Sequence, residues 1–126
     1  MNVPLELHFD VSVPKDPLED LVRERTAKLD RICDHLSSCR VSVEESQKHL
    51  KTGSPFRVRI DLTVPPGHEL ATSTEPGESE MHEGPETIIR KTFDAAERRL
   101  KKLMDVQRGE TKSHPTQEAA RRRDLP

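Results

Sequence analysis

The sequence predicts an α/β (α+β) two-layer sandwich of order β-α-β-β-β-α, a four-stranded mixed sheet covered on one face by two helices. Two observations carry this expectation. Short segments alternate apolar and polar residues with a period of two, as strands with one buried face do. Two longer segments instead repeat apolar residues at helical spacing.

Leu5, Leu7, Phe9, Val11 and Val13 alternate with Glu6, His8, Asp10 and Ser12, so the chain opens on a strand that Pro14 ends. Asp16 stands where a helix cap belongs, Pro17 suits the first helical position, and Glu19 is spaced to complete a capping box. Leu18, Leu21, Val22, Leu29, Ile32, Cys33 and Leu36 then mark a first helix over about Pro17–Leu36. Cys39, Val41 and Val43, alternating with Arg40, Ser42 and Glu44, form a second strand, followed by a polar loop over Gln47–Ser54. The third strand is the clearest: Phe56, Val58, Ile60, Leu62 and Val64 face one way and Arg57, Arg59, Asp61 and Thr63 the other. Pro65-Pro66-Gly67 turns the chain into a weaker fourth strand over Glu69–Thr74. Glu75–Gly84 holds Gly, Pro, Ser and Glu with almost nothing apolar, which predicts a mobile loop. From Pro85 a second helix carries a seam of Ile89, Phe93, Ala96, Leu100 and Leu103, and Gly109 sits where its C-terminal cap belongs. The predicted organisation is one domain over 1–109 and a flexible tail over 110–126 containing Arg121-Arg122-Arg123. Strands one and two, joined through a helix, are expected to be parallel, and the later hairpins antiparallel.

Composition sharpens the functional reading. Phe9, Phe56 and Phe93 are the only aromatic residues, so the core rests on Leu, Val and Ile. The formal net charge is −2, but its distribution is uneven. Six acids and no Lys or Arg lie between Pro66 and Glu86, whereas seven bases face three acids between Ile88 and Arg108. Local field, rather than net charge, decides what a surface attracts. Met1–Val13 lacks the basic and apolar regions of a secretory signal, and no stretch approaches the length of a membrane span. A cytoplasmic location follows as the expectation, with Cys33 and Cys39 as reduced, buried thiols.

Catalytic readings find little support. His8, His35, His49, His68, His82 and His114 are scattered without metal-ligand spacing, and the two cysteines lack the second pair that a zinc site needs. Neither cysteine is placed to be an exposed nucleophile beside a base, and the five glycines form no phosphate-cradling loop. The sequence therefore calls for no enzyme activity, metal, cofactor or small-molecule substrate. Spacing supports a nucleic-acid surface instead. Arg25, Lys28 and Arg31 recur every three residues on the first helix, and Arg98 and Lys102 lie four apart on the second. Such a surface would contact phosphates without reading sequence, since no aromatic platform is available to stack bases. The first helix also carries Glu19, Asp20, Glu24, Asp30 and Asp34, so its bases equally suit a merely solvated face. The acidic loop is read as a soluble linker, with repulsion of non-cognate nucleic acid or shielding of the basic helix in the free protein as the functional alternatives.

Several runs in this order resemble the ribosome hibernation promoting factor and ribosome-associated inhibitor A family. They are Arg23-Glu24-Arg25-Thr26-Ala27-Lys28-Leu29-Asp30-Arg31, the strand Phe56–Pro65, the helical run Ile89–Leu100, and Arg108-Gly109-Glu110-Thr111-Lys112-Ser113-His114. The resemblance spans about Leu5–His114; it departs at Glu86-Thr87-Ile88, where the family usually has a Tyr, and at Ala95, where several members have Lys. It implies a fold related to double-stranded-RNA-binding domains and binding in the tRNA and mRNA channel of the small ribosomal subunit. It further implies rRNA-backbone contacts from Arg25, Lys28, Arg31, Arg98 and Lys102, with Arg99 and Lys101 as contributing neighbours. The alternative reading is a protein-interaction or regulatory adaptor that uses the same surfaces without RNA.

Overall fold

A computed structural model of the chain describes residues 4–46, 53–77 and 83–112. Its elements run β1 (Leu5–Asp10), α1 (Asp16–Ile32), β2 (Ser38–Glu45), β3 (Phe56–Val64), β4 (His68–Thr74) and α2 (Pro85–Lys112). The strands form one sheet in the order β1-β2-β3-β4. β1 and β2 are parallel, as a helical crossover requires, and β2–β3 and β3–β4 are antiparallel.

Register stacks the apolar positions into rows. Leu7, Val41 and Ile60 lie side by side across three strands, as do Phe9, Val43 and Val58. Both helices lay their seams on this face. Leu18, Leu21, Val22 and Leu29 of α1 join Ile88, Ile89, Phe93, Ala96 and Leu100 of α2 in a single core with the sheet. The fold is thus the four-stranded mixed sheet with two covering helices that the alternation and the helical stripes predict.

β4 carries little apolar alternation because two of its three inward positions are threonines. Leu70, Thr72 and Thr74 oppose Leu62, Ile60 and Val58. Hydroxyls rather than methyls fasten this strand to α2: Thr74 Oγ1 lies 2.7 Å from Thr92 Oγ1, and the buried Thr92 hydroxyl also donates to the Ile88 carbonyl at 2.7 Å. Thr26 likewise donates to the Val22 carbonyl at 2.8 Å. The buried hydroxyls of Thr26 and Thr92 thus each have their hydrogen bond made, which removes the cost of burying them.

Helix ends depart from expectation at three points. Asp16 is helical, Lys15 occupies the cap position without a side-chain bond, and Glu19 pairs with Arg23 at 2.7 Å instead of reaching back. The i,i+4 ion pair thus takes the carboxylate that a capping box would need. α1 stops at Ile32, where Cys33 turns to extended backbone, although Leu36 beyond it is still buried. An apolar residue in a loop folded over the core keeps the helical spacing without belonging to the helix. Gly109 does not cap α2, which continues through it to Lys112; the left-handed glycines among the described residues are Gly53 and Gly77. A lone Gly costs a helix about 1 kcal/mol, too little to end one. Residues 113–126, including the arginine triplet, lie outside the described residues.

The segment expected to be a loop before α2 is tied at both described ends. Gly77 N–H donates to the Ser54 carbonyl at 2.9 Å, and the buried Ser54 hydroxyl donates to the Glu83 carbonyl at 2.7 Å. Gly53 has φ +81°, and a Cβ there would stand 2.6 Å from Gly77 Cα. Gly53→Ala is therefore expected to destabilise the fold by about 1–3 kcal/mol through backbone strain and displacement of Gly77. A shift of the denaturant midpoint at constant m would measure it.

Candidate nucleic-acid interface

The two helices lie side by side and run in the same direction, since Arg25 meets Asp94 and Glu97 while His35, beyond the end of α1, meets Gln107. The residues expected to contact RNA all belong to these helices, but they divide into two groups.

Arg25 and Arg99 are committed within the fold. Arg25 is ion-paired to Asp94 and lies 3.5 Å from a Glu97 carboxylate oxygen. Its side chain is only 13% exposed and Glu97 only 16%, so this contact belongs to the seam between the helices. Asp94, although it stands four residues after Arg90 and three after Lys91, serves Arg25 on the other helix. Lys91 pairs with both Glu83 oxygens at 2.8 Å. Arg99 donates to the Ala71 carbonyl and, at 3.1 Å, to Thr72 Oγ1, clasping β4 to α2.

Lys28, Arg31, Arg98, Lys101 and Lys102 are exposed and make no ion pair among the described residues. Arg31 and Arg108 line one open groove at the C-terminal ends of the helices, together with Cys33, His35 and Met104. An adjoining depression brings Lys101 and Arg108 beside Ile32. The helical packing thus gathers Arg31 and Lys101 around a shared trough. Arg108 was missing from the expected set, although it lies seven residues after Lys101, two turns along the same face. Asp34 and Asp105 border the trough, and Asp105 pairs with Arg108.

The opposite face of the sheet treats its cations differently. Arg40 pairs with Glu6 at 2.7 Å, Arg59 with Asp61 at 3.0 Å, and Arg57 with Glu75 at 3.1 Å and Glu44 at 3.6 Å. Partners on neighbouring strands neutralise Arg40 and Arg57, and Asp61 two residues along β3 neutralises Arg59, so this face has little field to offer a polyanion. Among the described residues the cations without an ion pair lie on the helices, apart from Lys15 at the start of α1.

Both cysteines are free and buried. Burial pushes the Cys39 thiol up to about 11 and is also the main cause that raises Cys33. A contact absent from the sequence reading places Cys33 Sγ 3.6 Å from His35 Nδ1, itself 3.2 Å from an Asp34 oxygen. A backbone hydrogen bond from His35 lowers the Cys33 pKa, but burial outweighs it, so the group is not an activated nucleophile. Among the described residues no set of three or more His, Cys, Asp or Glu side chains is grouped to hold a metal ion. No helix among them is long and apolar enough to cross a membrane.

No curated protein matches the chain in sequence. Among solved structures the chain is similar to the N-terminal domain of Thermus thermophilus Protein Y, with a TM-score of 0.59 and 22% identity, covering 82% of this chain and 99% of that one. It is also similar to a ribosomal subunit interface protein from Coxiella burnetii, with a TM-score of 0.55 and 17% identity over 80% of this chain and 97% of that one. These likenesses establish the fold. The profile of the Sigma 54 modulation protein / S30EA ribosomal protein family matches residues 7–108, from the middle of β1 to the trough residue Arg108, and the chain belongs to that family.

Proposed function

We propose that this protein is a ribosome-associated hibernation factor, acting in the cytoplasm, that binds the small ribosomal subunit in its tRNA and mRNA channel and inhibits translation by occupying it. Family membership supports the ribosome as partner. The observation that carries the surface assignment is the contrast in pairing: the sheet's arginines are neutralised, whereas Lys28, Arg31, Arg98, Lys101 and Lys102 stand free on the helices. Such a surface grips phosphates by charge and shape. Phe56 and Phe93 are buried and Phe9 is half-buried, so aromatic stacking on bases has no platform. Inhibition is then steric, and the protein contributes bulk and affinity rather than chemistry.

Co-sedimentation with purified small subunits across a salt series tests this reading. With about five phosphate contacts, affinity is expected to fall ~10²–10³-fold between about 50 and 200 mM salt. Binding that ignores salt would favour the adaptor alternative, and no binding even at low salt would sink the ribosome assignment. Competition by naked duplex RNA would reveal a general duplex binder instead. Displacement of mRNA or tRNA from the subunit locates the site in the channel.

A further inference from the structure

The two edges of the sheet are finished differently. At β4 the Arg99 guanidinium reaches from α2 onto the Ala71 carbonyl and the Thr72 hydroxyl. At β1 the backbone is open. Cys39 N–H donates to the Pro4 carbonyl at 3.0 Å, with Leu5 opposite Cys39 in the parallel register. That pattern turns the main-chain groups of Glu6 and His8 toward β2 and those of Leu5, Leu7 and Phe9 away from the sheet. No loop, cap or side-chain hydrogen bond among the described residues reaches those outward groups. The side chains of the same three residues are only partly buried against the core. Of the usual protections of an edge, β1 carries the charges of Glu6 and Asp10 but no Lys and no Pro between Leu5 and Asp10.

We propose that β1 is a self-association edge, across which a second copy of this chain pairs antiparallel about a two-fold axis at Leu7. Directly opposed residues in an antiparallel pair share a face, so four registers that pair three or more residues keep apolar against apolar, centred on Glu6, Leu7, His8 or Phe9, and those on Glu6 and Phe9 pair only three residues of each strand. Centring on Glu6 sets Glu6 against its own copy. Centring on His8 sets Glu6 against Asp10 and His8 against itself. Centring on Leu7 alone sets Glu6 against His8 of the second copy at both symmetry-related positions, with Leu5 against Phe9 and Leu7 against Leu7. The same register makes the outward-facing residues Leu5, Leu7 and Phe9 the pairs that exchange both main-chain bonds. Of the two registers that pair five residues of each strand, charge complementarity thus selects the one centred on Leu7. Glu6 is 74% exposed, and Arg40 holds one oxygen of its carboxylate at 2.7 Å, leaving the other for the incoming imidazole.

The resulting dimer is one continuous sheet with both helix layers on the same side, so the basic trough stays open in each copy. A contact of one short strand is small, and association in the micromolar to millimolar range is expected.

Sedimentation of the full chain from about 10 µM to about 1 mM tests the proposal, with a concentration-dependent dimer expected. His8→Glu, which sets like charges opposite one another twice, is expected to weaken the dimer about tenfold or more, whereas His8→Lys preserves or strengthens it. The opposite directions of these two exposed changes separate pairing from a folding defect. Amide exchange gives an independent readout: Leu5, Leu7 and Phe9 gain protection with concentration, while Glu6 and His8 are protected throughout. A mixture of Glu6→Cys and His8→Cys chains is expected to oxidise into a cross-linked pair, and His8→Cys alone is not. A monomer across the whole range, a dimer indifferent to both His8 changes, or self-cross-linking of His8→Cys would each overturn the proposal.

Discussion

Replacing Phe93 with Ala is expected to remove about 3–5 kcal/mol of folding stability, the largest effect of any single truncation in this chain. Phe93 is fully buried at the centre of the α2 seam, within the cluster that joins both helices to the sheet. It is the largest of the side chains that solvent does not reach, in a protein whose only other aromatic residues are Phe9 and Phe56. A cavity there would open inside a cluster of close-packed aliphatic side chains, which collapses poorly around a void. Domains of this size hold about 5–15 kcal/mol in total. A loss of this order would lower Tm by roughly 15–30 °C, and Phe93→Leu, which keeps most of the volume, is expected to cost under about 1.5 kcal/mol. Thermal and denaturant unfolding of the three proteins would check both values. A drop of less than about 1 kcal/mol in Phe93→Ala would contradict the packing described here.

The second large effect is on binding. Reversing Lys28, Arg31, Lys101 and Lys102 to Glu is expected to abolish co-sedimentation with small subunits at physiological salt, a loss of at least about 10³-fold. Each change removes a counterion-releasing contact and sets a like charge against phosphate. All four residues are exposed and without ion-pair partners among the described residues, so the variant is expected to fold normally, each change costing no more than about 0.5 kcal/mol. Arg25→Met supplies the contrast. It leaves Glu97 half-enclosed without its partner, so it is expected to lower stability by about 1–3 kcal/mol while the folded protein keeps most of its affinity. If Arg25→Met lost binding without losing stability, Arg25 would be an RNA contact and the division between structural and free cations would fail. If the fourfold variant folded and still bound, the interface would lie elsewhere.

The sequence by itself determined the layers of this protein and the order of its elements. Period two in Leu5–Phe9, Cys39–Val43 and Phe56–Val64, and helical spacing in Leu18–Leu29 and Ile89–Leu100, report burial directly, because one face of each element must leave water. Where other forces act, the pattern is silent. β4 is held by threonine hydroxyls and Arg99, which carry no apolar signature, and the ends of α1 and α2 follow hydrogen bonds that spacing does not encode. Charge was legible only as a list. Seven bases on and near α2 announced a basic surface, but a count cannot say which of them are neutralised. Tertiary structure decided that, bringing Asp94 and Glu97 to Arg25 across 69 and more residues and leaving Arg31, Lys101 and Arg108 to converge on one trough. The physical reason is one of range. Burial depends on an element's own periodicity, whereas the fate of a charge depends on whichever groups the fold places within about 4 Å of it.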